Sequence, residues 1–571
     1  MTATNTAELY AHGEALLARL EANPSDSACY ASLGQIAMAS GAYQDAAMFL
    51  GRAIQIEGPN PAYCVRLAES LSCLGENARA LLCLEEAIRH ADGRDLRFTL
   101  ANFYYLENRH EEAKREYRRL VEGDASDAEA WFHLGVLHTM NSELEEACHA
   151  YSEAVASRPN YAEAWNNLAL IEHSRKRLDV AERSYRHALT ANPNYRDALY
   201  NFALLLQQQD RLQEAVVLYE RLLGLHPDFA EAHNNLGNCY LKLNRTGAAK
   251  SHYAETLSLQ ATHKEAPWNL GFASLLDGEL ESGWLGYEYR LAQRKIDPRR
   301  WQAPRWNGRM EAGSRILIHH EQGLGDTIQF ARYLHLLVRG GMDVDVLCQA
   351  PLLPLLSRIP GLKACTQELA ELQPGDWQAP FPSLPYHFRT GLQSIPAEVP
   401  YLSADPSKVR EWKDVFASMP VGKKVGVVWQ GNPKHENDRN RSVPAILLAS
   451  LLESLVDSPG IQFCSLQKGV ARESMPAGLT DLGRLFQDFG DTAAAVLNLD
   501  LVISVDTSVA HLAGALGKPV WVLLPYAPDW RWMLHRSDSP WYPSARLFRQ
   551  SMPGDWSSVI RQVRTSLSMG L

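Results

Sequence analysis

A tyrosine returns every 34 residues along the first half of the chain, at Tyr117, Tyr151, Tyr185, Tyr219, Tyr253 and Tyr287. Leu134, Leu168, Phe202, Leu236 and Leu270 keep that spacing, as do the small residues Gly135, Ala169, Ala203, Gly237 and Gly271. A second small series runs through Ala113, Ala147, Ala181, Ala215, Ala249 and Gly283, and Pro159, Pro193 and Pro227 close successive units. A fixed period of this length admits few folds. Each unit reads as two amphipathic helices. Small residues mark where the helices cross, large ones fill the gaps, and proline follows the second helix because it cannot continue it. One unit cannot bury its apolar face alone, so neighbours must stack.

Period and pattern together resemble the tetratricopeptide repeat (TPR) family. Less regular units upstream, Leu33-Gly34 with Ala46 and Leu67-Ala68 with Ala87, extend the array to roughly eight units over residues 1–291. The last, ending in GWLGYEYRLA, reads as an atypical cap. One polar position also repeats: Asn167, Asn201, Asn235 and Asn269 are 34 apart, with His133 one unit earlier. In TPR proteins this position faces the concave groove, where an amide both donates to and accepts from an extended peptide. The ladder resembles that of O-GlcNAc transferases, although asparagine is also common there in TPRs at large.

A chain of 571 residues implies two to four domains. Hydrophobic content of 46% and charged content of 21% are those of an ordinary globular protein. The net charge of -10 argues against nonspecific nucleic-acid binding, which needs a basic footprint. No apolar run reaches the ~18 residues of a transmembrane helix, and the first twenty residues do not read as a secretory signal. The nine cysteines are scattered and form no Cys-x-x-Cys pair, so a reducing, cytoplasmic compartment is expected.

Beyond a connector, RKIDPRRWQAPRWNG, short β-rich runs alternate with helical ones, the mark of an α/β fold. Residues 315–320 read as a buried strand, followed by Glu321-Gln-Gly-Leu-Gly-Asp326 and a helix. Gly323 and Gly325 permit close backbone approach, and Asp326 sits near a helix N-terminus that favours its charge. Further on, residues 424–429 form a strand before the polar loop 430–442. A second strand at 462–466 precedes Gln467-Lys468-Gly469, and a third at 499–505 precedes Asp506-Thr507-Ser508-Val-Ala-His511. The free N–H groups opening that last helix make an anion site suited to a phosphate. Asp343 and Asp345 form a DxD string, but alternation along a strand argues against a metal role.

GLGD before a helix, SLQKG, and DTSVAHLAGALGKP resemble the lipopolysaccharide heptosyltransferase class of GT-B glycosyltransferases. With TPRs, YAPDWRWML and SPWYP added, the chain is similar to bacterial TPR-glycosyltransferase fusions, some of which resemble flagellin glycosyltransferases that attach nonulosonic acids. The resemblance implies a TPR α-superhelix (1–291), a linker (292–310), a short acceptor-side Rossmann-type lobe (311–405) and a nucleotide-sugar lobe (406–571). It implies metal-independent, inverting transfer from a CMP- or UDP-linked sugar to Ser or Thr of a protein acceptor, flagellin first. Asp326 matches the catalytic base. Gly323, Gly325, Gln467, Lys468, Asp506, Thr507, Ser508, His511, Trp429 and Arg441 fall to donor binding, and Trp530 is a further stacking candidate. A helix-cap role for Asp326, an O-GlcNAc-like UDP-dependent activity, a TPR scaffold with a degenerate transferase lobe and a carboxylate-clamping co-chaperone are the alternatives. No cofactor beyond the nucleotide sugar is expected.

Overall fold

The computed structural model describes residues 3–293, 303–434, 437–453, 460–470 and 475–570. The connector residues 294–302, and His435 and Glu436 of the polar loop, lie outside the described residues. The chain divides into two compact units, Met1–Arg211 and Leu212–Leu571. The division falls inside the repeat array, so the last repeats share a unit with everything that follows them.

The first unit is helical throughout. Helices pair as the 34-residue period requires, for example Ala128–Met140 with Leu144–Ser157 and Ala162–Ser174 with Leu178–Ala191. The periodic tyrosines are the pegs of this packing: Tyr117, Tyr151 and Tyr185 are at most 2% exposed. Gly135 is small because a Cβ there would stand 2.7 Å from the Tyr151 ring. A second periodic feature lies in the backbone. Gly41, Gly75, Asn108, Ser142, Lys176, Asp210, Asn244 and Gly278 all have positive φ, each two residues past the first helix of a pair. The left-handed residue turns the chain back and closes the helix: Lys176 N–H donates to the His173 carbonyl and Arg177 N–H to that of Glu172.

The second unit opens with helices of the same kind, including Ala230–Lys242 with Thr246–Leu259 and Ala266–Leu276 with Leu280–Tyr287. The terminal pair crosses backbone to backbone, since a Cβ on Gly271 would lie 2.6 Å from the Gly286 backbone.

Two parallel sheets follow. The first has β1 (Arg315–His319), β2 (Asp343–Leu347), β3 (Ala364–Thr366) and β4 (Trp377–Pro380) in the order β3-β2-β1-β4. The second has β5 (Lys423–Val428), β6 (Ile461–Ser465), β7 (Thr480–Asp481), β8 (Leu501–Val505), β9 (Val520–Leu524) and β10 (Ala545–Arg549), ordered β10-β9-β8-β5-β6-β7. The chain winds outward from β5 through β6 to β7, then restarts at β8 beside β5 and winds the other way. That reversal is the doubly wound order, and the crevice beyond the strand ends at the switch is where such sheets take ligands. Buried strands such as β8, with every residue buried, read in sequence as continuous apolar runs for this reason. One hydrophobic core joins Leu275, Leu276, Leu280, Trp284 and Tyr287 of the terminal repeat to Ile316 and Phe330 of the first sheet layer and Trp530 and Trp541 of the second.

Candidate functional site

The GLGD loop leaves the end of β1 and enters the short helix Leu324–Phe330. The DTS loop leaves the end of β8 and enters the helix Ser508–Ala515. These helices meet at Gly325, where a Cβ would stand 2.9 Å from the His511 ring and 3.5 Å from the Ser508 Cα. Gly325 is thus a close-approach glycine between the two sheet layers. It brings two strand-end loops, and with them Asp326 and Asp506, to one place.

Asp326 caps its own helix: Oδ2 accepts from the Gly323 N–H at 2.8 Å. Oδ1 accepts from the Arg531 guanidinium. Arg531 also donates to Gln329 Oε1 and Asp529 Oδ1, both at 2.7 Å, and lies over the Trp530 ring at 4.4 Å. Burial pushes the Asp326 carboxyl above its ordinary value, and the Arg531 charge opposes that push. The cap and the charged cluster therefore coexist in one side chain.

Asp506 titrates at about 6, raised first by burial and then by the charge of Asp529. Arg441, from the loop after β5, donates to the Asp506 carbonyl at 3.2 Å and so bridges the two loops that diverge at the switch point. Thr507 is the extended residue before the helix, with its hydroxyl 2.9 Å from that of Ser504, and Ser508 is the first helical residue. Gln467 Oε1 accepts from the Gln430 N–H at 3.1 Å, and Lys468 Nζ donates to the Gln487 carbonyl at 3.1 Å.

Trp429, Trp530, His511 and two of the ladder asparagines are buried or engaged within the fold. Trp429 is 1% exposed in the core against the six-stranded sheet, so it offers no face to a base or sugar. Trp530 is buried as well and serves as the platform for Arg531. His511 is buried, its Nδ1 is 2.9 Å from the Tyr542 hydroxyl, and burial followed by the charges of Arg531 and Arg332 drives its pKa well below the ordinary value. His511 packs the layer contact, its Nε2 3.8 Å from Asp506 Oδ1. Asn269 is buried rather than open to a groove, and its amide donates to Asn234 at 3.0 Å and Asn238 at 3.2 Å. Asn201 likewise donates to Asn166 at 3.1 Å, while Asn167 and Asn235 are half-buried. Part of the ladder's hydrogen-bonding capacity is thus used between the first helices of neighbouring repeats. Asp343 and Asp345 face Lys363 at 3.2 Å and Arg315 at 3.7 Å. Among the described residues no group of three or more His, Cys, Asp or Glu side chains is placed to hold a metal ion.

Arg531, Asp529 and Tyr542 carry weight that sequence reasoning did not assign. A signal was there: a charged Asp-Trp-Arg-Trp run separated by four residues from the end of the apolar strand β9.

Tetratricopeptide repeat models match residues 104–161, 141–196 and 206–270, so the chain contains TPR repeats. Protein FlbA of Caulobacter vibrioides is 30% identical over 320 residues, 51% of this chain and 52% of that protein. The chain thus spans about half the length of the curated relative it matches. Among solved structures, YrrB, described as a TPR protein with an unusual peptide-binding site, is 19% identical with a TM-score of 0.30, covering 33% of this chain and 98% of YrrB. MamA is 19% identical with a TM-score of 0.28, covering 28% of this chain and 95% of its own. TPR repeats are protein-interaction scaffolds, and no described helix is long and apolar enough to cross a membrane.

Proposed function

We propose that the chain is a GT-B-type protein O-glycosyltransferase that moves a sugar from a nucleotide donor to a Ser or Thr hydroxyl of a protein held by the TPR repeats. The observation that carries this reading is the meeting of two strand-end loops from two doubly wound layers at Gly325, which sets Asp326 beside the DTS helix. Asp326 is the general base. Its carboxyl is shifted upward by burial and opposed in that by Arg531, and a carboxylate within reach of the acceptor hydroxyl can take its proton. It takes the proton of the acceptor hydroxyl as that oxygen attacks the anomeric carbon. The glycosidic bond to the nucleotide phosphate breaks from the opposite face, and configuration inverts. The N–H groups that open the Ser508–Ala515 helix, with Arg441 at the switch point, receive the leaving phosphate. The donor proposed first is a CMP-linked nonulosonic acid with flagellin as acceptor; a UDP-linked hexosamine is the competing donor.

The test is to incubate the full chain with each donor and flagellin, and to measure released nucleotide and the mass of the acceptor. Asp326→Asn is expected to lower kcat by roughly 10²–10⁴ and to leave nucleotide binding intact. Undiminished transfer by this variant overturns the assignment of the base. Absence of transfer with both donors favours the scaffold reading.

A further inference from the structure

Two sets of contacts run from the end of the repeat array, residues 284–290, to the two sides of the Asp326 carboxylate. The first passes through the loop before it. Arg290, 4% exposed, donates from Nε and Nη2 to Glu321 Oε2 at 3.3 and 3.0 Å and from Nη2 to Ser383 Oγ at 2.7 Å. The Tyr287 hydroxyl and the Gln322 amide are hydrogen-bonded at 3.0–3.2 Å. The next residue, Gly323, donates its N–H to Asp326. The second set passes through aromatic rings. Trp284 and Tyr287 meet the Trp530 ring edge-on, with centroids 5.1 and 5.7 Å away. Trp530 carries Arg531, and Arg531 grips the other oxygen of Asp326.

We propose that Tyr287 and Arg290 are positioning residues for Asp326, so that the last TPR repeat is a working part of the catalytic site rather than only its tether. The functional half of this claim rests on Asp326 being the base. The physical argument is one of cost. A buried ion pair such as Arg290–Glu321 often adds no more stability than a well-packed apolar pair would, whereas its directed guanidinium bonds fix geometry. Arg290 supplies it to the loop that sets Asp326. The two sets also share Tyr287, whose hydroxyl serves the loop and whose ring serves Trp530. Displacing that one side chain therefore moves both grips on the carboxylate. A base displaced by 1 Å loses much of its effect on rate while donor binding, which lies on the other layer, persists.

The experiment uses the full chain as wild type, Tyr287→Phe, Arg290→Lys and Arg290→Met. Hydrogen exchange followed by mass spectrometry reads residues 320–330 and, as the control, residues 508–516. Tyr287→Phe is expected to speed exchange in 320–330 by roughly tenfold, about what one lost hydrogen bond allows, and Arg290→Met, which loses several, by more. The 508–516 segment should hold its rate, and Arg290→Lys should restore part of the protection. Where the wild type transfers sugar, kcat falls in the same order of variants with KM held. Unchanged exchange in 320–330, or acceleration spread equally over both segments, overturns the proposal. This readout needs no turnover, so a wild type inactive with both donors refutes the transferase reading separately.

Discussion

Asp506 stands out among the titrating side chains because it carries its proton to unusually high pH. Its carboxyl is raised from an ordinary 3.8 to about 6, first by burial and then by Asp529. Between those values the folded protein holds a proton that the unfolded chain releases, so this group costs stability as pH rises through the window. Asp506→Asn removes that cost. In urea unfolding, its gain over the wild type should be nil below pH 3.8 and complete above about pH 6; a gain independent of pH contradicts the account. At this scale the sequence was partly legible. Asp326 and Asp506 announced themselves because each follows an apolar strand and opens a helix, a relation contained within a dozen residues. Arg531 did not, because its bond to Asp326 spans 205 positions and depends on how two layers meet. Trp429 and His511 misled for a related reason: proximity to a motif in sequence does not say which way a ring points, and both point into the core.

At the scale of elements, the 34-residue period predicted the helix pairs and the buried tyrosines, since both follow from apolar spacing. It did not reveal the left-handed turn residue of each pair. That position repeats as faithfully, but is filled by Gly, Asn, Ser, Lys and Asp, so no residue type marks it. What repeats there is a backbone angle. The consequence is measurable at Lys176, which sits at φ 63° in the turn after Ala162–Ser174. A side chain in the left-handed region costs roughly 1–2 kcal/mol, and glycine avoids most of it at an entropic cost of roughly 0.5–1 kcal/mol. Lys176→Gly should therefore raise stability by up to about 1 kcal/mol in equilibrium denaturation. A loss of similar size would show that the turn is not strained. The asparagine ladder was legible as a period and not as a surface. The helix-to-helix bonds Asn201–Asn166 and Asn269–Asn234 appear only once the helices are stacked.

For the molecule as a whole, the change from helical repeat to α/β pattern was plain in the sequence, whereas the packing of the terminal repeat into the following core was not. Trp284 and Tyr287 looked like repeat residues, and their long-range partners could not be read from a period. Their burial makes a prediction about fragments. Removing one buried large aromatic typically costs about 3–5 kcal/mol, against a total of about 5–15 kcal/mol for a folded domain. A fragment beginning at 292 loses two such aromatics together with Leu275, Leu276 and Leu280. It should show no cooperative melt by circular dichroism, whereas 212–571, which follows the compact division, should melt cooperatively. A sharp transition in the shorter fragment would mean that the terminal repeat is dispensable. The central claim, that this unit takes a nucleotide sugar at the DTS helix, is tested most directly by thermal unfolding of the full chain against CMP, UDP, GDP and ADP. At about 100 times its dissociation constant, the cognate nucleotide should stabilise the fold by roughly 2.7 kcal/mol. Ser508→Glu, which suits the helix dipole but repels a phosphate, should abolish that shift. A shift with CMP alone points to a nonulosonic acid donor, and one with UDP alone to a hexosamine. No shift with any of the four, or a shift that survives in Ser508→Glu, contradicts the account.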